Sequence, residues 1–108
     1  MTSLTKTFAA LADDTRLAMI ERLMQQGELP AGALTDIAPI SGPAVSRHLK
    51  VLREAGLVKA RVNGAQRLYS VCPEALQTIS RWTGSHLDFW QPGLDRLEAH
   101  LAAHDEQE

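Results

Sequence analysis

The stretch SGPAVSRHLKVLREAGLV, residues 41–58, decides how this chain folds. Ser41 is a favoured N-cap residue, and Pro43 is tolerated in the first turn of a helix, where its missing N–H is not needed. Gly56 is the residue type that most often ends a helix. Apolar residues recur between these signals at helical spacing: Val45, Leu49 and Leu52. The stretch therefore predicts an amphipathic helix with one face in a core and a polar, basic face outside.

Positive charge is concentrated around this helix, although the whole chain of 108 residues has a formal charge of −2. Residues 41–72 contain a single acid, Glu54, whereas acids outnumber bases from residue 73 to the end. The cations of this central region are Arg47, Lys50, Arg53, Lys59, Arg61 and Arg67. A local basic patch attracts phosphate whatever the total charge, so the distribution favours a nucleic-acid partner.

The segment before this helix predicts the first half of a helix-turn-helix. LPAGALTDIA, residues 29–38, indicates a short helix with Leu34 and Ile37 facing inward. Pro39 ends it, because the residue before a proline avoids the α conformation. Two short helices joined by a tight turn, the second basic on its outer face, form a helix-turn-helix, which we place at residues 31–56.

The segment after the helix predicts a β-hairpin. Apolar and basic residues alternate from Val58 in VKARV, which is the period of a strand. Asn63-Gly64 is a strong signal for a two-residue type I′ turn, and AQRLYSV returns as the second strand. The predicted fold class is therefore mainly α with a small β-hairpin wing at residues 57–72, a winged helix-turn-helix in a single domain of residues 1–108.

Two helices are predicted before this region. The first runs to about Leu11, and the second is capped by Asp13 or Asp14 and ended by Gly27. Apolar residues follow helical spacing in the second helix at Leu17, Ile20, Leu23 and Met24.

The last third of the chain predicts two helices separated by a break. Pro73 opens a helix that ends near Arg81, and TGS at residues 83–85 indicates the break. Because a proline costs a helix interior about 3 kcal/mol relative to alanine, we expect a kink or a restart at Pro92-Gly93. Apolar residues spaced by three and four form the a/d seam of a helix that packs on another helix: Leu87, Trp90, Leu94, Leu97 and Leu101.

The outer face of the basic helix carries the candidate DNA contacts. The major groove of B-DNA is about 12 Å wide and admits one α-helix. A helix that enters N-terminus first places near the base edges Ser41, Gly42, Ser46, Arg47, His48 and Lys50. Arg47 can fork onto guanine, Lys50 and Arg53 suit phosphates, and the wing cations suit the backbone or the minor groove. We expect these cations to form one surface; the plainer interpretation is a solvated basic face.

Three blocks of this sequence resemble the ArsR-type winged helix-turn-helix repressors of bacteria: FAALADDTRLAMIERLM, AVSRHLKVLREAGLV and VNGAQRLYSV. The resemblance spans residues 8–71, and the C-terminal LDRLEAHL is similar to the last helix of one subgroup. It implies a cytoplasmic, nucleoid-associated repressor that binds double-stranded DNA at an inverted repeat. By matching position it assigns the reading role to Ser46, Arg47, His48 and Lys50, and the wing role to Arg61, Asn63, Gly64 and Arg67.

The same resemblance implies a homodimer built from the first and last helices, residues 1–12 and 74–104. The residues that it places in the dimer interface are Leu4, Phe8, Leu87, Trp90, Leu94, Leu97 and Leu101. The aromatic residues Trp82, Phe89 and Trp90 are interpreted as part of the dimer core, and the alternative is that they line an effector pocket.

Two departures from the family pattern concern sensing. Members often carry glutamine where Gly42 stands, and the metal-sensing members carry a Cys-x-Cys pair before the recognition helix, where this chain has none. The remaining zinc candidates are weak, with a spacing that differs from the family's: His86, His100 and His104. We therefore predict no metal and no cofactor, and the sequence names no inducer.

Other function classes are weighed against DNA binding. The sequence contains no Ser-His-acid, phosphate-loop or paired-carboxylate motif, so we expect no enzyme. No apolar run is long enough to span a membrane, and the single cysteine, Cys72, favours a reducing, cytoplasmic location. The alternatives that stay open are a winged helix that binds only protein and a zinc-responsive repressor that uses the C-terminal histidines.

Overall fold

The computed structural model describes residues 4–106, and of Trp90 and residues 104–106 it describes the backbone only. The chain divides into two compact units, Met1–Gln77 and Thr78–Glu108. The helix-turn-helix and the hairpin belong to the first unit. Residues 1–3 of the predicted first helix lie outside the described part of the chain.

The first two helices begin and end close to their predicted positions. Helix α1 spans Leu4–Leu11 and α2 spans Asp14–Gln26. The Asp13 carboxylate accepts a hydrogen bond from the backbone N–H of Arg16 at 3.0 Å, which caps α2 and lowers the pKa of Asp13. Gly27, with φ of +83°, ends α2 in a conformation that favours glycine.

The predicted third helix is reduced to a single 3₁₀ turn. Strand β1, Leu29–Pro30, precedes this turn, which spans Ala31–Leu34. Arg22 of α2 donates hydrogen bonds to the carbonyl of Ala33, at 3.1 Å, and to the Asp36 carboxylate, whose pKa it lowers. The Ala33 carbonyl, which would accept a backbone hydrogen bond if the helix continued, thus accepts one from a side chain. Inward-facing Leu34 is fully buried, as predicted, and Ile37 packs on the core.

Helix α3 confirms the prediction for the deciding stretch. It spans Gly42–Glu54, and the Ser41 hydroxyl accepts a hydrogen bond from the backbone N–H of Ala44 at 3.2 Å. Gly56 follows with φ of +76°. The inward-facing residues of α3 are at most 1% exposed: Val45, Leu49 and Leu52. They pack in one core with residues of α2 and the wing, among them Met19, Ile20, Leu23, Leu57 and Val58.

The hairpin is present, but its turn differs from the predicted one. Strands β2, Val58–Asn63, and β3, Gln66–Val71, pair antiparallel, and Asn63 faces Gln66 across the ladder. The two loop residues are therefore Gly64 and Ala65, and Gly64 alone has a positive φ, of +65°. This is the sign pattern of a type II′ turn, not of a type I′ turn at Asn63-Gly64.

A third strand joins the hairpin. Leu29 and Pro30 of β1 pair antiparallel with Tyr69 and Leu68, so the sheet has the order β1-β3-β2. A two-residue strand that contains a proline has too little pattern to be read from sequence, and it forms here at a sheet edge, where proline is tolerated.

The C-terminal helices are longer than predicted. Helix α4 spans Pro73–Ser85, and within it Thr83 and Ser85 donate hydrogen bonds to helix carbonyls, Thr83 to that of Ile79 and Ser85 to that of Trp82, each at 2.9 Å. The predicted break at residues 83–85 therefore falls at His86. Helix α5 spans Leu87–Glu106.

We predicted a kink or a restart at Pro92-Gly93; the helix does not restart there, because α5 continues through Pro92. Pro92 lies early in α5, so the one helix hydrogen bond lost with its missing N–H is to a carbonyl of the first turn. None of the helices in the described residues is long and apolar enough to cross a membrane.

The position of the turn can be tested by substitution. Gly64→Ala should lower the free energy of unfolding by about 1 kcal/mol, because a left-handed conformation strains any residue with a Cβ, although that Cβ would meet no atom within 4 Å. Chemical denaturation measures the change. Gly32→Ala is the matched control, since its Cβ also enters open space and its φ is not positive. Asn63→Thr should be neutral; a loss equal to that of Gly64→Ala would place the turn at Asn63-Gly64.

Candidate nucleic-acid interface

The polar face of α3 lies in solvent because the opposite face is locked in the core. Ser46, Lys50 and Arg53 are exposed and stand at i, i+4 and i+7, so they share one face of the helix. Arg47 is also exposed, one turn before Lys50. Three cations and a hydroxyl are thus presented together on a helix whose orientation is held by its buried side.

The charge of Lys50 is only weakly compensated. Its ammonium lies 4.0 Å from the carboxylate of Glu54, and both side chains are well exposed, at 66% and 59%. An exposed pair at this distance contributes little, because water screens it and both side chains lose entropy in forming it. Lys50 therefore keeps its charge available to an anion.

The N-terminus of α3 is open to solvent. Ser41 and Gly42 are both exposed, and a Cβ built on Gly42 would meet no atom within 4 Å. The Ser41 oxygen accepts the capping bond from Ala44, which leaves its hydroxyl proton as a donor. A helix N-terminus also favours an anion through its backbone N–H groups.

His48 faces the protein more than the solvent. Its side chain is only 23% exposed, and its Nδ1 lies 3.3 Å from Nη1 of Arg16 and 3.9 Å from the Asp13 carboxylate. Arg16 also donates from Nε to the carbonyl of Ala10, at 2.6 Å. Arg16 therefore joins the end of α1, the start of α2 and the middle of α3, and His48 is less accessible than its predicted reading role implies.

The wing does not present its cations on one surface. Directly opposed residues of an antiparallel pair lie on the same face of a sheet, and neighbours along a strand alternate. Lys59, Arg61 and Asn63 therefore share one face, whereas Arg67, which faces Val62, lies on the other. All four are exposed. The expectation of one surface made by all six cations of the helix and the hairpin is wrong for the wing.

One wing cation has an internal partner. Arg61 donates hydrogen bonds to the Glu28 carboxylate at 2.6 to 3.0 Å, through both Nε and Nη2. The pair lowers the pKa of Glu28 and raises the pKa of Arg61. Sequence reasoning missed Glu28, because only the pairing of β1 with β3 brings the residue before β1 beside the wing.

The residues assigned to a dimer interface lie in both units. In the first unit, Leu4 is half-buried and Phe8 is 40% exposed. In the second unit the leucines of the α5 seam are about half exposed: Leu87, Leu94, Leu97 and Leu101. The side chain of Trp90 lies outside the described part of the structure. This stripe leaves apolar surface in contact with water, and packing against another helix would bury that surface.

The zinc candidates do not come together in the described part of the chain. Among the side chains described in residues 4–103, no three of His, Cys, Asp or Glu are placed to share a metal ion. The Nδ1 of His86 lies 2.8 Å from the carbonyl of Trp82, and its ring lies against the Trp82 ring with centroids 5.0 Å apart. His100 is exposed on α5, and the side chain of His104 lies outside the described residues.

The single thiol is not placed for reactivity. Cys72 is half-buried between the wing and α4. Burial, with a smaller contribution from the Glu74 carboxylate, raises the pKa of Cys72. A raised pKa leaves less of the reactive thiolate near neutral pH.

Comparisons with known proteins agree with this geometry. A helix-turn-helix domain family matches residues 11–61. The chain is 46% identical over 90 residues to the HTH-type transcriptional regulator Rv2034 of Mycobacterium tuberculosis, covering 82% of this chain and 79% of the relative. It is 37% identical to the arsenic resistance transcriptional regulator ArsR1 of Pseudomonas putida, covering 88% and 74%. The solved structure of the ArsR family transcriptional regulator RHA00566 superposes with a TM-score of 0.74 at 25% identity, covering 82% and 96%.

The contacts of two histidines predict opposite tautomers. Arg16 can only donate, so neutral His48 must accept at Nδ1 and carry its proton on Nε2. The carbonyl of Trp82 can only accept, so neutral His86 must donate from Nδ1. Long-range proton–nitrogen NMR at about pH 8.5, where an ordinary imidazole is neutral, should show the two patterns side by side. Arg16→Gln should alter the tautomer of His48 and leave His86 unchanged; a protonated Nδ1 in His48 of the unaltered protein would contradict the Arg16 contact.

Proposed function

This chain belongs to the ArsR family of winged helix-turn-helix transcriptional repressors, and we propose that it binds an inverted-repeat operator as a homodimer. In this proposal α3 enters the major groove of double-stranded DNA and the wing contacts the adjacent backbone. Occupation of the operator then blocks transcription.

One observation supports the role of α3 above all. Its buried face is locked by Val45, Leu49 and Leu52, each at most 1% exposed, so its polar face is held rigidly outward. A reading helix must be held in this way, because base contacts depend on side chains placed to within a fraction of an ångström. The width of the groove matches one such helix.

The contacts divide into reading and anchoring roles. Arg47 is the base reader, since a guanidinium can bond both acceptors of guanine, and Ser46 supports it from the same turn. Lys50 and Arg53 bind phosphates, and Ser41 and Gly42 place the open N-terminus of α3 beside the backbone. On the wing, Lys59 binds phosphate from one face, with Asn63 and Gly64 at the tip, while Arg67 reaches from the other face. Arg61 contacts DNA only when it releases the Glu28 carboxylate. His48 faces Arg16 behind the helix and does not contact a base.

The dimer proposal rests on the exposed apolar residues of α1 and α5. The leucine seam of α5 is spaced as in helix–helix packing and is about half exposed, and Phe8 of α1 is 40% exposed. A second copy related by a twofold axis would bury the exposed apolar residues of both helices. Two reading helices would then contact half-sites about 34–36 Å apart, one turn of DNA, or a multiple of it.

Paired substitutions test the proposed roles. Arg47→Ala should cost about 1–3 kcal/mol at the operator and relax the choice of base, because a bidentate contact is lost. Lys59→Ala should weaken binding to all sequences and reduce the salt slope by about one. Fluorescence anisotropy with the operator, found by genomic footprinting, and with random duplexes measures both.

Arg81→Ala, an equal loss of charge on α4, is the matched control for these variants. Sedimentation of the same samples should give twice the chain mass of 11.8 kDa. Equal affinity of the unaltered protein for operator and random DNA would contradict sequence-specific reading, and a monomer that still binds the full operator would contradict the dimer.

The Glu28–Arg61 pair predicts a gain of function. Glu28→Gln should strengthen DNA binding and steepen the dependence of log affinity on log salt by about 0.9, because a released Arg61 neutralises one more phosphate. Glu21→Gln, which removes the same charge from an exposed site on α2, is the control for the general change in net charge. Binding that weakens in Glu28→Gln would show instead that the pair holds the wing in its binding position.

A further inference from the structure

A small cavity lies behind the reading helix, on the side of α3 that faces α1. Its volume is about 280 Å³. The apolar part of its wall comes from two helices, with Ala9 and Ala10 on α1 and Val51 and Ala55 on α3. These short side chains leave the space open, and Val51 is 38% exposed although it is a β-branched apolar residue. An apolar ligand body would cover carbon surface that water now contacts.

The charged part of the cavity wall favours an anion. Among the lining residues, Lys6 and Arg16 carry two positive charges and Glu54 carries one negative charge, and the Asp13 carboxylate interacts with Arg16 from outside the lining. The guanidinium of Arg16 is already oriented, because its Nε is bonded to the carbonyl of Ala10 and its Nη1 to His48. A planar fork held in place is suited to a carboxylate, which accepts two parallel hydrogen bonds.

The volume restricts the size of the ligand. Sites for drug-sized molecules run from roughly 300 to 1,000 Å³, so this cavity lies just below that range. It fits a carboxylate with a short hydrocarbon or single-ring body.

The cavity is connected to the DNA-reading face through two contacts. Arg16 bonds His48 in the middle of α3, so a ligand carboxylate that shifts the Arg16 guanidinium also alters that bond. Glu54 lines the cavity and lies 4.0 Å from Lys50, a proposed phosphate contact. A ligand carboxylate in the cavity would repel the Glu54 carboxylate. Occupation of the cavity would therefore act on both the position of α3 and the charge of its outer face.

We propose that this cavity binds a small organic carboxylate, received by Arg16 and Lys6, and that its occupation lowers the affinity of the protein for DNA. The second half of this statement rests on the proposed function, since it concerns the same reading helix. By linkage, DNA bound to the protein must lower the affinity of the protein for the carboxylate by the same factor.

Binding is tested first without DNA, with benzoate as the probe and the full chain labelled for proton–nitrogen NMR. Benzoate should produce saturable shifts at the backbone amides of Ala9, Ala10, Arg16 and Val51. Benzyl alcohol, which has the same ring without the charge, should bind at least about tenfold more weakly, as should benzoate to Arg16→Gln, because a charge-assisted bidentate pair is lost. Arg81→Gln, an equal change of charge on α4, should leave the affinity for benzoate unchanged.

A second variant guards against misfolding of Arg16→Gln. Ala9→Leu keeps both cations and fills the cavity from a solvent-exposed position on α1, so it should abolish the shifts while the rest of the spectrum is retained. Saturable shifts that are absent with both benzoate and hexanoate would overturn the site. So would benzyl alcohol binding as tightly as benzoate, or benzoate binding that persists unchanged in both variants.

Measuring operator binding with and without benzoate separates this proposal from the function on which it rests. Saturating benzoate should weaken operator binding at least about threefold in the unaltered protein and not in Ala9→Leu. Unchanged affinity of the benzoate-saturated protein would overturn the regulatory half alone. Failure of the ligand-free protein to bind any operator would overturn the proposed function and leave the NMR result on the site standing.

Discussion

The burial of one face of α3 is the constraint on which the rest of the structure depends. Val45, Leu49 and Leu52 fit against Met19, Ile20 and Leu23 of α2 and against the first residues of the wing. Each fully buried aliphatic side chain of this kind contributes about 1.5–3 kcal/mol relative to exposure. Because these residues recur every three to four positions, their burial also determines which residues face outward. The polar face that we propose reads DNA is a consequence of the core.

Electrostatic contacts then refine what the core has positioned. Arg16 ties together α1, α2 and α3, Arg22 holds the turn before α3, and Arg61 is held by Glu28 at the wing. Two of these three arginines therefore act within the molecule, and the third, Arg61, would have to exchange an internal carboxylate for a phosphate in the proposed complex with DNA. Counting cations along the chain overstates the charge that DNA can use, since an arginine that is already paired adds little net attraction.

Sequence reasoning succeeded where a local rule decides the outcome. The caps of α2 and α3, the glycines that end them and the inner stripe of α3 follow from side-chain chemistry within one or two turns. It failed where a distant partner decides. The turn at Gly64-Ala65 is set by the register of the whole hairpin rather than by the Asn63-Gly64 dipeptide, and the predicted third helix is reduced to a 3₁₀ turn where Arg22 of α2 binds the Ala33 carbonyl.

The sequence by itself determined the class of the protein: an amphipathic basic helix followed by a hairpin, in a chain similar to the ArsR repressors. Those features depend on periodicity and on neighbours along the chain, which the order of residues specifies directly. Only the tertiary structure decided which of the basic residues are available. Arg61 and Glu28 are far apart in sequence, as are His48 and Arg16, and each pair meets because the core and the sheet fold their segments together. Availability to a ligand is a property of the folded surface, and it cannot be read from a residue's type and position alone.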